Sequence, residues 1–150
     1  METTQGIHRN SVSEVKLSYR PNFRPQERPA LRTSADSYEH FLKMDNWNFN
    51  TDRLNCLLMN PAMKLIARLS YSTKPYSIKD IYTTALLSGA TRMIIGFYRI
   101  TAMPGVEDRD FFRKMHVASK HIGVRLEDGL YYRTVGYYSL LDNDENLYTV

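Results

Sequence analysis

Residues 93–123 constrain the fold of this chain more than any other stretch. A short apolar run ends at the small residue Gly96, a polar loop containing Pro104 and Gly105 follows, and an amphipathic segment closes at Gly123. Apolar runs with β-branched residues predict buried strands, whereas apolar residues spaced three and four apart predict a helix. The stretch therefore predicts a buried strand, a loop and a helix in succession, as in an α/β domain.

The segments on either side alternate between helical and strand patterns. The predicted elements are, in chain order, a helix over residues 33–43, strands over 54–59 and 64–69, a helix over 77–89, a strand over 91–98, a helix over 108–121, and strands over 124–133 and 137–141. Ser77 and Asp80 have the spacing of a capping box at the start of the second helix. This order predicts an α/β layout around a mixed β-sheet.

The composition is typical of one globular domain. With 150 residues, of which 43% are hydrophobic and 24% charged, the chain can bury one core but is too short for two large domains. We predict three parts: a basic, proline-containing and partly disordered N-terminal arm over residues 1–33, a domain over residues 34–142, and an acidic tail over residues 143–150.

The length of the apolar runs and the setting of the single cysteine indicate the cellular compartment. No run approaches the roughly 18 apolar residues of a membrane span, and the first residues lack the apolar core of a signal peptide. Cys56 is the single cysteine and lies in an apolar run, which favours a buried structural thiol. We therefore expect a cytoplasmic protein without membrane contacts.

The N-terminal arm carries most of the excess positive charge. The net charge of the chain is +4, and residues 1–33 contain six Lys or Arg residues against three acidic ones. Because basic arms can contact phosphate groups, Arg20, Arg24 and Arg28 are candidate nucleic-acid contacts, and a solubilising terminus is the alternative. Residues 15–19 alternate between apolar and polar and predict a short strand that can pair at a sheet edge.

Three segments of the chain resemble a known family. They are LNCLLMNPAMKLIARLS at residues 54–70, SIKDIYTTALLSGATRMIIG at 77–96 and ASKHIGVRLEDGLYYRTVGYYSL at 118–140. In this order and at these spacings they resemble the JAB/MPN (JAMM) domain of the RadC type, in a short form that lacks the helix-hairpin-helix domain of longer RadC proteins. The resemblance covers roughly residues 52–142. It implies the cytidine-deaminase-like three-layer fold, an α/β fold with a mixed β-sheet flanked by helices.

The resemblance also places the family's zinc motif on residues that differ from it. In the family a strand ends in His-x-His, the next loop carries a Ser, and an Asp opens the following helix. The two His positions here are Phe97 and Arg99, and the Ser position falls on Gly105. The family's upstream general acid/base Glu corresponds to Asp52, whose carboxylate is about one methylene shorter than that of Glu.

Two residues compete for the aspartate position of this motif. Counting forward from the strand gives Asp110, whereas counting back from the Lys-x-x-Gly end of the helix gives Asp108. We favour Asp108, because a carboxylate in the first turn of a helix is stabilised there. The predicted buried face of that helix then consists of Phe111, Met115, Ala118 and Ile122.

These replacements predict that the family's chemistry is lost. Phe has no lone pair and Arg is a cation that repels Zn²⁺, so we expect neither zinc nor another cofactor. The expected function is that of a metallopeptidase-like pseudoenzyme, a binding or assembly module with a protein or DNA partner. The resemblance implies a link to DNA repair or to mobile elements. The alternatives are a zinc-dependent JAB-type metallopeptidase with altered ligands and a DNA-binding accessory protein.

The roles of Arg99 and of two histidines can each be interpreted in more than one way. Arg99 either forms an ion pair with Asp108 in place of the metal, or points into solvent. His116 and His121 lie five residues apart, on different faces of one predicted helix, and cannot chelate one ion together. Histidines at the edge of the core or in solvent are the expected explanation for both.

Four tyrosines occur as two adjacent pairs on predicted neighbouring strands. They are Tyr131, Tyr132, Tyr137 and Tyr138. Since side chains alternate along a strand, one ring of each pair should face the core and the other solvent. With Arg125 and Arg133 nearby in the sequence, the exposed rings predict either a nucleic-acid or protein contact surface, or simple cross-strand stabilisation of the sheet.

Overall fold

The computed structural model describes residues 28–44, 52–71, 76–100 and 106–142 of the chain. Its elements, in chain order, are α1 (Ser34–Met44), β1 (Arg53–Met59), β2 (Leu65–Tyr71), α2 (Ile78–Leu87), β3 (Arg92–Tyr98), α3 (Val106–Ile122), β4 (Arg125–Arg133) and β5 (Gly136–Ser139). This succession confirms the predicted α/β class. Among the described residues, no helix is long and apolar enough to cross a bilayer.

The strands form one mixed, five-stranded sheet in the order β2-β1-β3-β4-β5. β3 and β4 are parallel, and the other neighbouring pairs are antiparallel. A parallel pair needs a long crossover connection, and α3 provides it between β3 and β4. The C-terminal end of β3 therefore lies close to the N-terminus of α3, at the edge of the sheet where ligands bind in many α/β proteins.

Helices cover both faces of the sheet. Ile95 and Phe97 of β3 belong to a buried cluster that includes side chains of α2 and α3. Ile94 and Tyr98, which alternate with them, belong to a second buried cluster together with Phe41 of α1. The layers are thus α1, the sheet, and α2 with α3, because the alternation along β3 sends successive side chains to opposite faces.

The second core cluster also includes one residue near the end of the segment predicted as the arm. Leu31 is 2% exposed and belongs to the same cluster as Phe41. Thr33 and Asp36 then cap α1 reciprocally, since each backbone N–H donates to the other's side-chain oxygen at 3.1 Å. A capping box fixes the direction in which the chain enters a helix. Leu31 is therefore a buried anchor that lies just before a capped helix.

The buried face of α3 differs from the predicted one. The helix begins at Val106, two residues before the predicted start, and its buried residues are Phe112, Met115, His116 and Ser119. Phe111, Ala118 and Ile122 lie only partly buried beside this stripe. The predicted face was shifted because the buried stripe includes the polar residues His116 and Ser119, which an apolar pattern does not select.

Gly129 of β4 allows α3 to pack directly on the sheet. A Cβ at this position would lie 2.7 Å from Phe112 Cδ1 and 3.1 Å from Leu140 Cδ1, and nearer still to Phe112 Cε1. Gly129→Ala should therefore lower the free energy of unfolding by about 1–3 kcal/mol through overpacking. Urea denaturation of the variant measures this loss. The double variant Gly129→Ala/Phe112→Leu should lose less than the two single losses combined, and strict additivity would contradict the close contact.

Candidate functional site

The positions assigned to the zinc motif by the resemblance come together at one edge of the sheet. Arg99 directly follows β3, and Asp108 lies in the first turn of α3. Because β1 runs antiparallel to β3, Asp52, which directly precedes β1, lies beside the end of β3. Gly105 lies outside the described residues. Four of the five positions can therefore be placed, and they share one end of the sheet.

Arg99 and Asp108 form a bidentate ion pair. Arg99 Nε donates to Asp108 Oδ2 at 2.9 Å, and Nη2 donates to Oδ1 at 2.6 Å. The side chains are only 6% and 12% exposed. Of the two arrangements open for Arg99, the structure has the ion pair and not the solvent-directed side chain. Parallel N–H···O bonds of this kind are among the stronger charge-assisted interactions in proteins.

Two backbone carbonyl oxygens accept hydrogen bonds from the remaining guanidinium nitrogen of Arg99. Arg99 Nη1 donates to the carbonyl oxygen of Tyr98 at 3.0 Å and to that of Arg53 at 3.3 Å. The guanidinium thus links the end of β3, the start of β1 and the first turn of α3. A buried Arg with this many partners is held in one orientation, because its planar fork matches the acceptors around it.

Electrostatics favour the charged form of Arg99. Burial by itself lowers the pKa of the guanidinium, but the hydrogen bonds and the negative charge of Asp108 outweigh burial, and the net pKa is raised. Asp108 also benefits from its position in the first turn of α3, where the helix dipole favours a carboxylate. The guanidinium of Arg99 is therefore held in its charged form at this site.

Phe97 fills the space beneath the ion pair. It is 0% exposed, its ring stacks on Tyr131 at a centroid distance of 4.8 Å, and it meets Phe111 edge-on at 6.1 Å. The guanidinium carbon of Arg99 lies 5.2 Å from the centre of the Phe97 ring, within range of a cation–π contact. Phe97 is therefore a core residue that supports the ion pair from below.

Tyr76 belongs to the same site although sequence reasoning did not select it. Its ring meets Phe111 edge-on at 5.8 Å, and burial raises the pKa of its hydroxyl, an effect that the charge of Arg99 opposes. Nothing in the sequence near Tyr76 indicates this position. It precedes α2, and only the packing of α2 next to α3 brings it to Arg99.

Asp52 makes a backbone contact in this site. Its Oδ1 accepts a hydrogen bond from the backbone N–H of Ile100 at 3.0 Å. The carboxylate thereby holds the chain as it leaves β3. A general base needs its oxygen aimed at a substrate or a water molecule, whereas this oxygen is engaged with the protein's own backbone.

The residues at this edge of the sheet do not fit a zinc ion. Zinc sites use neutral imidazole, thiolate or carboxylate ligands, whereas this site offers a phenyl ring, a guanidinium and one carboxylate whose two oxygens both accept from Arg99. Among the residues that the structure describes, no three His, Cys, Asp or Glu side chains are grouped so that they could hold a metal ion.

The remaining titratable candidates lie apart from the site. His116 is buried on α3 and His121 is exposed, so the two face different directions as predicted from their spacing. Cys56 is 0% exposed in the core, and burial raises the pKa of its thiol. A thiol of this kind packs as a small apolar group, which confirms the structural role predicted for it.

The tyrosine prediction was wrong for the pair on β4. Tyr131 and Tyr132 are 5% and 1% exposed, on opposite faces of the sheet. Tyr132 stacks on Phe41 at 5.2 Å, and its hydroxyl accepts a hydrogen bond from Asn55 Nδ2 at 2.6 Å. Both rings are buried because helices cover both faces of the sheet at β4. Tyr137, which is 40% exposed, is the ring of the second pair that reaches solvent most.

The basic residues predicted to contact nucleic acid fall in different places. Arg125 lies at the start of β4, 3.4 Å from Glu127, whereas Arg133 lies at the other end of the strand. Arg20 and Arg24 lie outside the described residues, and Arg28 is the first residue that the structure describes. The predicted pairing of residues 15–19 at a sheet edge also lies outside them. The two arginines of β4 do not form one patch with Tyr137.

Comparison with known proteins gives no assignment by itself. No protein-family model matches the chain, and no curated protein matches it. The likeness to RadC-type JAB/MPN domains therefore depends on the motifs quoted from the sequence.

Proposed function

We propose that this protein is a catalytically inactive RadC-like JAB/MPN domain that acts as a binding or assembly module. The bidentate pair of Arg99 and Asp108 carries this proposal, because both carboxylate oxygens of Asp108 already accept from a guanidinium. A metallopeptidase needs that carboxylate for its metal and an open position for water. At this site a fixed positive charge that cannot be deprotonated takes the place of the metal.

The protein's own residues can then stabilise the scaffold where a metal would otherwise have done so. A structural cation joins elements that would repel or separate without it, and Arg99 joins β3, β1 and α3 in the same way. The ion pair can therefore stabilise the fold in a protein that has lost the catalytic site. Function then resides in what the surface binds, since a fold does not by itself define an activity.

A protein is the partner class that the described surface favours. Val135, Tyr137 and Leu141, which lie on or next to the β4–β5 hairpin, are 85%, 40% and 49% exposed. Aromatic and aliphatic side chains in the open are the residues on which protein contacts are built. We also propose a cytoplasmic location, because the single cysteine is a buried thiol. From the resemblance we propose a link to DNA repair or mobile elements.

Metal analysis of the purified protein tests this proposal. When the protein is expressed with added zinc and purified without chelators, we expect far less than one zinc per chain by mass spectrometry. Asp108→Asn, which keeps the shape of the side chain but removes its charge, should not change that content. One zinc per chain in the wild type, lost in Asp108→Asn, would instead support the metallopeptidase with altered ligands.

DNA contact through the basic arm remains the alternative partner class. Arg20 and Arg24 lie outside the described residues, so the hypothesis stays a prediction. Binding of this kind would weaken with salt, with a slope of about −0.9 in log K against log salt for each phosphate neutralised. Salt-independent binding of a protein partner would distinguish the module proposed here from such an accessory protein.

A further inference from the structure

A cavity of about 360 Å³ lies on the α1 side of the sheet. It is bounded by the start of α1, the turn between β1 and β2, the strands β3 and β4, and the residues that follow β5. Its apolar wall consists of Leu31, Met63, Ile94 and Leu141. Cavities of this size hold small organic molecules, and an apolar wall favours a ligand with an apolar body.

Two carboxylates, those of Asp128 and Asp142, line the same cavity. Asp128 is 4% exposed and lies on the same face of β4 as the core residues Leu130 and Tyr132, since side chains alternate along a strand. Asp142 is exposed and follows β5. A charged group at a buried position of a strand is costly unless it is paired or hydrogen-bonded. The partners of Asp128 therefore decide what this position can do.

The hydrogen bonds of Asp128 leave room for one more donor. Its Oδ1 accepts from the backbone N–H of Gly129 at 2.7 Å and from that of Leu141 at 2.9 Å. Its Oδ2 accepts from the hydroxyl of Ser139 at 2.7 Å. A carboxylate has about four lone-pair positions, so Oδ2 retains capacity for a further donor. All three partners are neutral, so they orient the carboxylate without balancing its charge.

Asp128 and Asp142 form no ion pair within the part of the chain that the structure describes. Asp142 instead accepts a hydrogen bond from the hydroxyl of Ser34. Burial raises the pKa of Asp128, and the negative charge of Asp142 raises it further. The two carboxylates therefore repel each other, and a cation close to both would favour their charged forms.

The other charged residues that line the cavity do not supply this cation. Glu127 binds the guanidinium of Arg92 and lies 3.4 Å from Nε of Arg125, so its charge is already balanced. Arg32 is exposed and, among the described residues, makes no ion pair with either carboxylate. The charge next to the apolar wall is therefore negative.

We propose that this cavity binds a small organic cation, a primary amine carried on an apolar or aromatic body. The amine donates to Asp128 and Asp142, and the body packs against the apolar wall. Charge complementarity identifies this class of ligand, because a buried carboxylate without a counter-charge gains most from a positively charged donor. The proposal is independent of the module function, since the cavity shares no residue with the ion pair of Arg99 and Asp108.

Titration calorimetry of the full-length protein with matched compounds tests the proposal. Tyramine carries an ammonium group, tyrosol carries a neutral hydroxyl in its place, and phloretate carries a carboxylate. At about pH 7, where the amine is charged, tyramine should bind with a Kd of about 1 mM or tighter. Tyrosol should bind about tenfold more weakly, because a hydrogen bond between charged groups is stronger than one with a neutral donor. Phloretate should not bind.

Variants that remove one charge locate the site. Asp142→Asn, at an exposed position, should weaken the binding of tyramine about three- to fivefold, and Asp128→Asn should weaken it about tenfold or more. Asp80→Asn, which removes an exposed charge from α2, is the matched control and should leave the affinity unchanged. Circular dichroism checks that each variant is folded. If Asp128→Asn does not fold, Asp142→Asn and the matched compounds still decide.

Several outcomes would overturn the proposal. One is a Kd for tyramine that is weaker than about 1 mM. Another is an equal affinity for tyramine, tyrosol and phloretate, since the carboxylates would then not select the ligand. A third is an equal effect of Asp142→Asn and Asp80→Asn, because tyramine would then respond only to the overall charge of the protein.

Discussion

Replacing Asp108 with alanine is expected to lower the free energy of unfolding by about 3–5 kcal/mol, because the Arg99 guanidinium would remain buried without its counter-charge. The magnitude follows from the burial of the pair, whose side chains are 6% and 12% exposed. Solvent screens an exposed pair much more strongly than this one. Urea denaturation monitored by circular dichroism measures the loss.

An exposed ion pair on the same helix provides the matched control. Lys114 and Asp110 lie 3.1 Å apart, four residues from each other on α3, with side chains 66% and 54% exposed. Lys114→Ala should therefore cost no more than about 0.5 kcal/mol. The double variant Arg99→Met/Asp108→Leu should regain most of the loss of Asp108→Ala, since apolar residues of similar size often replace a buried pair without penalty.

The outcome bears directly on the proposed function. If Asp108→Ala were as stable as the wild type to within about 1 kcal/mol, Arg99 would have to reach solvent once its partner was removed. The guanidinium would then not be a fixed replacement for a metal, and the main support for an inactive module would be lost. A large loss that the double variant repairs would instead show that the pair holds the fold together.

Much of the fold could be predicted because its periodic patterns are simple. The central strand β3 has six consecutive buried residues after Arg92, and continuous apolar runs of this kind predict a strand covered on both faces. Ser77 caps α2 by accepting from the backbone N–H of Asp80 at 3.1 Å, as its spacing predicted. Local chemistry sets these features, so a sequence is enough to find them.

The end of β5 was harder to predict, because the buried carboxylate of Asp128 binds the residues at which the strand ends. β5 ends at Ser139, two residues before its predicted end. Asp128 accepts hydrogen bonds from the backbone N–H of Leu141 at 2.9 Å and from the hydroxyl of Ser139 at 2.7 Å. Burial raises the pKa of Asp128, and these hydrogen bonds oppose that rise. A long-range contact of this kind has no local signature.

Some features of the candidate site could also be predicted from the sequence, whereas others depend on tertiary packing. The pairing of Arg99 with Asp108 could be anticipated, since one follows a strand and the other opens the next helix, nine residues later. Tyr76 could not be anticipated, because α2 brings it to the site through tertiary packing alone. The burial of both Tyr131 and Tyr132 was likewise missed, since it depends on which strands the helices cover. Sequence patterns identify the faces of an element but not its neighbours.

Introducing the family's residues should not create a peptidase. In the variant Phe97→His/Arg99→His/Gly105→Ser, an imidazole replaces a fully buried ring that stacks on Tyr131 at 4.8 Å. The same variant removes the guanidinium that satisfies Asp108. We expect the free energy of unfolding to fall by at least about 4 kcal/mol, from lost core packing and from an unpaired buried carboxylate. Chemical denaturation with and without zinc measures this effect.

The geometry around Asp52 gives a second reason to expect no activity. Its carboxylate accepts from the backbone N–H of Ile100 at 3.0 Å, which ties it to the end of β3. A carboxylate held by the backbone is less free to act as a general base, and Asp is about one methylene shorter than the Glu that the resemblance places here. Phe97→His/Gly105→Ser, which keeps the ion pair, is the matched control and should lose less stability. Zinc that both stabilises the triple variant and supports peptide cleavage would show that the scaffold kept its catalytic geometry, and that the replaced residues alone account for the missing chemistry.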